Sequence, residues 1–330
     1  MPASAATHRV VKPRRGLSRL LSKAPIYIRD ARAQPAWAAM FVLGRFTLLR
    51  VAYGAIWRWV KRARMRREEI AWAPGDALAP FPPERIAATV EKQGLCRGLT
   101  LTPRTVDAIR SFAETSFCYA GMDRRFGFHA ADHAEAETRF DRPILVAHFL
   151  DDVMTCDAAR DVIENPWLRR IAADYIGAEP TLIASRLWWS FPSTRANAAD
   201  LDTASQGGFH YDLDDWRQIK FFFYLTDVDA DSGVHVYAAG SHRRRPLRLQ
   251  WKMFVGTSRE SVARAWGEGC FEPIAGPAGT GFAEDPFGFH MGEVLRAGRR
   301  LILEVSYGTA ARMPARRFGE LTPPNPKPPS

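Results

Sequence analysis

At 330 residues, with 46% hydrophobic and 25% charged side chains, the chain is long enough for one large domain or two ordinary ones and too apolar to stay disordered. Its formal charge of +10 is unevenly held, because residues 1–67 carry sixteen Lys/Arg against a single acid, Asp30, while the other 263 residues carry 30 bases and 35 acids. The four cysteines, Cys96, Cys118, Cys156 and Cys270, have neither the CxxC spacing of a metal or redox pair nor the density of a disulfide framework, so they are expected to be buried free thiols in a reducing compartment.

Residues 1–35 are basic and broken by prolines, which predicts a poorly ordered arm. A helical pattern follows from Trp37 to about Arg64. At ~100° per residue, Phe41, Leu48, Leu49, Ala52, Ile56 and Trp59 share one face, with Arg50, Arg58 and Lys61 opposite; Arg45 is the exception that falls in the apolar sector. The longest uncharged run, Ala33 to Gly44, has twelve residues and includes Pro35, against the ~20 that a span needs. Two readings stand side by side. The helix lies in an anionic membrane interface, or it packs its apolar face on the rest of the protein. Large apolar residues in place of polar base-reading side chains argue against nucleic acid. The expected location is cytoplasmic, peripheral on the membrane, although a mitochondrial presequence would share the Arg-rich, acid-poor composition.

Residues 1–72 are therefore taken as a basic arm with an amphipathic helix, and "APGDALAPFPP" (73–83) as a proline-rich linker. Helical segments follow up to residue 180. Thr102 caps one ahead of Pro103, and Asn165 caps another ahead of Pro166, with Gly177 as its stop. The pattern then changes to strands over 181–191, 218–228, 233–239 and 299–307, rich in β-branched and aromatic residues. Helices first and strands afterwards predict an α+β chain whose C-terminal half, 181–311, is a sandwich or barrel. The tail 312–330 is proline-rich and expected to be disordered.

"GGFHYDLDDW" (207–216) places His210 and Asp212 at i and i+2, on one face of a strand. Imidazole plus carboxylate suits a first-row divalent metal, and a second histidine would complete a two-His-one-carboxylate triad with coordination positions left open. His235, His242 and His290 are the candidates downstream. His290 lies 78 residues beyond Asp212, as a partner strand of a two-sheet fold would. Ten residues later Arg300 opens the mostly apolar "RLILEVSY", where a guanidinium could fork onto the far carboxylate of a dicarboxylate chelating the metal.

Taken together, "HYD", "YLTDVDADSGVHVYAAGSH", "FHMG" and "RRLILEVSY" resemble the phytanoyl-CoA dioxygenase family over roughly residues 90–310. The resemblance implies a double-stranded β-helix (jelly-roll) in a dioxygenase domain, 84–311, with flanking helices. It implies Fe(II) held by His210, Asp212 and His290, and 2-oxoglutarate and O₂ as co-substrates. It also implies hydroxylation of an unactivated C–H bond of a small or lipid-like substrate, with release of succinate and CO₂. Arg300 would bind the distal carboxylate of 2-oxoglutarate, with Arg299 the fallback if the register slips by one. Phe222, and Trp188 or Leu187, would line the co-substrate pocket. Halogenases of the same fold need a halide where Asp212 stands, which favours hydroxylation. The chain departs from the family at Ala239, where proline is frequent, and at Gly292 and Glu293, where serine and asparagine often help seat the co-substrate or substrate.

His129 and His133 have an i, i+4 spacing that could bind zinc on a helix, but no third ligand accompanies them, and a surface or lid segment is expected. Asp227, Asp229 and Asp231 lack the twelve-residue pattern of a calcium loop and predict an acidic turn. The rival to an oxygenase is a non-catalytic, membrane-associated binding protein on a degenerate jelly-roll.

Overall fold

Proline and side-chain caps set the helix starts. In the computed structural model, which describes residues 28–29, 31–61, 82–251, 256–310 and 317–318, Thr102 accepts from the Thr105 amide and Asn165 from the Trp167 amide, each just before a proline. The second of these helices ends at Gly177, whose φ of 76° is the left-handed conformation glycine adopts without strain. Residues 1–27, most of the 73–83 linker and nearly all of the 312–330 tail lie outside the described residues.

The elements run α1 (Pro35–Leu43), α2 (Thr47–Lys61), α3 (Pro83–Gln93), β1 (Leu95–Thr100), α4 (Pro103–Thr115), β2 (Phe117–Ala120), β3 (Gly127–His129), α5 (His133–Arg139), β4 (Val146–His148), α6 (Asp157–Ile163) and α7 (Pro166–Ile176). Then come β5 (Thr181–Ser190), α8 (Ala198–Thr203), β6 (Gln218–Tyr224), β7 (His235–Ala238), α9 (Leu247–Gln250), α10 (Arg259–Trp266), β8 (Phe271–Ile274), β9 (Thr280–Glu284), β10 (His290–Gly292) and β11 (Arg300–Gly308).

An eight-stranded antiparallel sheet, in the order β1-β9-β6-β11-β5-β4-β2-β3, faces a three-stranded one, β10-β7-β8. Alternation along the strands divides the side chains between two cores. Leu187, Trp189, Phe221, Phe223, Leu301 and Leu303 point outward into a layer shared with helical Ile86, Val90, Ile109 and Leu168. Phe222, Tyr224, Phe282 and Ile302 point inward and pack on Val236, Tyr237, Phe289 and Met291 of the small-sheet side. The candidate site lies between the sheets.

Two sequence expectations change. The N-terminal half is not purely helical, since β1 to β4 join the large sheet from it. These strands have three to six residues and are stabilised by their neighbours more than by a local pattern, so periodicity does not reveal them. The single helix expected over 37–64 is two, broken at Gly44–Phe46. Arg45 accounts for the break: its Nε donates to the Val42 carbonyl at 3.0 Å and its Nη2 to that of Phe41 at 2.8 Å, satisfying the free end of α1.

These helices also dock with the opposite face from the one a packed amphipathic helix would use. From α1, Trp37 and Met40 are buried against Leu213 and Phe287. From α2, Arg50 donates to the Asp215 carbonyl at 3.2 Å, lies 3.7 Å from Asp285 and covers the Phe287 ring at 3.8 Å. Tyr53 stacks on Trp216 at 4.7 Å. The Asp285 carboxylate and the exposed ring faces on the body prefer a guanidinium to an aliphatic stripe. Leu48, Leu49, Ala52, Ile56 and Trp59 are left facing outward. No helix among the described residues is long and apolar enough to cross a membrane.

Candidate metal and co-substrate site

His210 is brought to His290 by the backbone. Each donates its amide to the other's carbonyl at 2.9 Å, an antiparallel bridge that continues the β10 edge of the small sheet. The Ser241 hydroxyl helps to place that edge, because it accepts from the Phe289 amide at 2.7 Å and donates to the Ala238 carbonyl at 2.6 Å. The Gly-Ser-His stretch therefore ties β7 to the residue before His290.

His210, Asp212 and His290 offer ligand atoms that all lie within 4.8 Å of one another. His210 Nε2 is 4.0 Å from Asp212 Oδ1, and His290 Nε2 is 3.6 Å from Asp212 Oδ2. His290 Nδ1 sits 3.0 Å from the Gly288 carbonyl, which takes its proton and leaves the Nε2 lone pair facing the carboxylate. Burial lowers the pKa of His210 and brings that of His290 down to about 4, so both imidazoles are neutral at physiological pH. Burial opposes the charged form of Asp212, yet Lys220, followed by His290 and His210, holds its pKa well below the usual carboxylate range.

The triad opens on a cavity of ≈ 240 Å³. At one end Arg300 is 4% exposed; its Nη2 reaches Ser190 Oγ at 3.4 Å, and its Nε and Nη1 have no hydrogen-bond partner. Arg299, the alternate residue on the strand, turns to the other face, where it pairs with Glu114 at 2.8 Å and covers Trp189 at 4.7 Å. Trp188 and Phe222 line the cavity edge to face, 6.4 Å apart, while Leu187 points into the helix-facing core. Gly292 lies beside the guanidinium, since a Cβ built there would come within 3.4 Å of Arg300 Nη2.

Several cavity residues were missed in the sequence. Lys220 Nζ is 2.7 Å from Asp212 Oδ2, 3.2 Å from Glu304 Oε1 and 3.6 Å from Asp214 Oδ2, while Arg186 reaches Glu304 at 3.4 Å. Burial works against the Lys220 ammonium, but Asp212, Glu304 and Asp214 together raise its pKa. The available signal is parity: Lys220 shares a strand face with Phe222, and Glu304 shares one with Arg300, in stretches that are mostly apolar. His235 pairs with the buried Glu284 at 2.9 Å, and His242 with the Glu91 carbonyl at 3.1 Å, so both have partners outside the triad. His129 and His133 do not converge, since His129 stacks on Phe117 while His133 bonds the Ile144 carbonyl at 2.8 Å and stacks on Phe191. Asp229 caps its own turn, accepting from the Asp231 and Ser232 amides at 3.0 Å. All four cysteines are buried and free.

No family model matches the sequence, and no curated protein matches it. Solved structures similar to the chain include EctD from S. alaskensis with bound Fe, 15% identical over 77% of this chain and 84% of that one, with a TM-score of 0.46. The non-heme alpha-ketoglutarate-dependent epimerase SnoN from nogalamycin biosynthesis is 13% identical over 68% and 80%, at 0.45. HygX from Streptomyces hygroscopicus, with nickel and 2-oxoglutarate bound, is 12% identical over 68% and 86%, at 0.44. The functional reading of this chain rests on its own side chains rather than on these likenesses.

Proposed function

We propose that residues 84–311 form a jelly-roll dioxygenase that binds Fe(II) through His210, Asp212 and His290, binds 2-oxoglutarate through Arg300, and hydroxylates an unactivated C–H bond of a small substrate. One observation carries the reading. A buried guanidinium with two unpartnered nitrogens shares a cavity with a converging His-Asp-His group. Leaving such donors unsatisfied is costly, and a carboxylate that forks onto Arg300 while its other end meets the metal satisfies them.

The donor set fits the ion, because two neutral imidazoles and one ionised carboxylate suit a divalent first-row metal and leave positions open. When bound, Fe(II) supplies O₂ activation coupled to the oxidation of 2-oxoglutarate to succinate and CO₂. The protein's own part is to bind and orient. Gly288 fixes the His290 tautomer, Lys220 holds Asp212 through Oδ2, and Arg300 with Ser190 receives the distal carboxylate. Trp188 and Phe222 wall the cavity against water. Arg186, Lys220, Asp212 and Glu304 bring charged groups into its lining beside the aromatic rings. Of a small polar molecule and a lipid-like one, the polar molecule finds the better partners there.

An anaerobic titration tests this. Fe(II) followed by 2-oxoglutarate should give a visible charge-transfer band, and a substrate screen should then score succinate release. Arg300→Leu should retain Fe(II) affinity while raising the 2-oxoglutarate requirement by about two orders of magnitude, since a buried charge pair is lost. If neither Fe(II) nor 2-oxoglutarate binds, the chain is a non-catalytic jelly-roll.

A further inference from the structure

We propose that the outward face of α1 and α2 is a docking face for an anionic lipid membrane. Its composition is the first ground. Leu48, Leu49, Val51, Ile56 and Trp59 are all exposed on α2, with Leu48 and Trp59 each at 82%. They are joined only by alanines, Ala52 and Ala55, so this face carries no charge over a helix about 20 Å long. Val42 and Leu43 at the end of α1 extend it on one side. Trp251 and Leu247 extend it further, since Trp251 meets Phe46 edge on at 5.0 Å and Gln250 accepts from the Thr47 amide at 3.1 Å. A contiguous apolar patch of this kind marks an interaction surface rather than ordinary solvent exposure.

The second ground is that the polar face of the same helix is already in use. Arg50, Tyr53, Gly54 and Arg58 face the body, against Asp285, Trp216, Arg217 and Gly177. The helix therefore cannot roll to bury its apolar stripe without giving up the Arg50 ion pair and the Tyr53 stack. Its docking fixes the stripe outward.

Charge selects the occupant. The first 67 residues hold sixteen Lys/Arg and one acid, and α2 is followed at once in sequence by Arg62, Arg64, Arg66 and Arg67. A second copy seated on this face would bring two such basic segments together. An anionic bilayer attracts them and takes the apolar stripe into its headgroup–acyl boundary, with Trp59 and Trp251 suited to that depth. The body, with five more acids than bases, is repelled by the same surface, which favours an orientation with the helix down.

The test uses the full chain and two kinds of vesicle, phosphatidylcholine alone and phosphatidylcholine with phosphatidylserine. The wild-type chain should float with the anionic vesicles and far less with the neutral ones. Added salt should weaken that binding without abolishing it, because the apolar contribution is insensitive to screening. The triple substitution Leu48→Ser, Ile56→Ser, Trp59→Ser removes only exposed side chains and should lower partitioning roughly a hundredfold at an unchanged melting temperature. Analytical ultracentrifugation should give a monomer for both chains. No binding to anionic vesicles, or undiminished binding of the triple variant, overturns the proposal. So does a wild-type dimer that the triple substitution dissociates, which would assign the face to a second copy.

Discussion

Asp212 has two carboxylate oxygens, and each meets different neighbours. Oδ1 faces His210, while Oδ2 accepts from Lys220 at 2.7 Å and lies 3.6 Å from His290. The ammonium therefore holds the carboxylate in place and competes with a metal ion for it. Replacing Lys220 with Met leaves Asp212, Asp214 and Glu304 without their shared cation, and the metal-free chain should lose about 3 kcal/mol of stability. A divalent ion would restore part of that charge balance, so Mn²⁺ or Fe²⁺ should raise the melting temperature of Lys220→Met more than that of the wild type. Equal shifts would show that the lysine and the metal do not share Asp212. Alanine at His210, Asp212 or His290 should each weaken metal binding by at least about a hundredfold, because a ligand is deleted from a three-ligand set. Alanine at His235 or His242 should not, since each directs its Nε2 away from the triad, to Glu284 and to the Glu91 carbonyl respectively. Isothermal titration with Mn²⁺ separates the two groups, and loss of binding in His242→Ala alone would move the site.

At the scale of elements, the buried guanidinium of Arg50 is the central contact of α2 with the body. Arg50→Ala would strip Asp285 of its ion pair and uncover the Phe287 ring, leaving a buried carboxylate supported by the Tyr175 hydroxyl at 2.7 Å and the Phe287 amide at 2.9 Å. A loss of about 3 kcal/mol in denaturant unfolding is expected, against less than about 0.5 kcal/mol for exposed Leu48→Ser. A loss under about 0.5 kcal/mol for Arg50→Ala would mean that α2 is not part of the folded body. This helix also marks where the sequence stops being legible. Its periodicity shows which residues share a face, but the direction in which that face points is decided by Asp285, 235 residues away. Strands β5, β6, β7 and β11 were legible because each lies in a β-branched and aromatic run between turns. So was the convergence of His210, Asp212 and His290, because HxD spacing and a distal histidine before an arginine are local patterns. The lysine and acids behind the triad were not. Lys220 and Glu304 are isolated charges inside mostly apolar strands, and only the pairing of β6 with β11, which sets Phe222 opposite Glu304, brings them together. Strands β1 to β4 were hidden for the related reason that a strand of a few residues is stabilised by its partners.

Across the whole molecule, burial keeps imidazoles neutral at separate places in both sheets, and this makes acid stability a test of the fold. His148 on β4 and His235 on β7 are each brought down to about 3, burial being the main cause and a nearby arginine the second, Arg186 for one and Arg300 for the other. In the unfolded chain both take up a proton near 6.5. Between those values the unfolded state binds protons that the folded state refuses, so stability that is complete above about pH 6.5 drains away as the pH falls toward 3. Glu284 acts in the other direction. Burial raises it to about 7 from 4.5, so its contribution is present below 4.5 and is lost as the pH rises through 7. From pH 6.5 to 4.5 these imidazoles, joined by those of His210 and His290, which burial lowers in the same direction, outweigh the one carboxyl; below 4.5 Glu284 is protonated in both states and stops compensating. The melting temperature of the metal-free chain should therefore change little about pH 7, fall gently below 6.5 and fall more steeply below 4.5. His148→Gln removes one of these imidazoles and should flatten the decline, a change that calorimetry over a pH series resolves. A melting temperature constant from pH 7 to 4 would show that these histidines are not held neutral between the sheets.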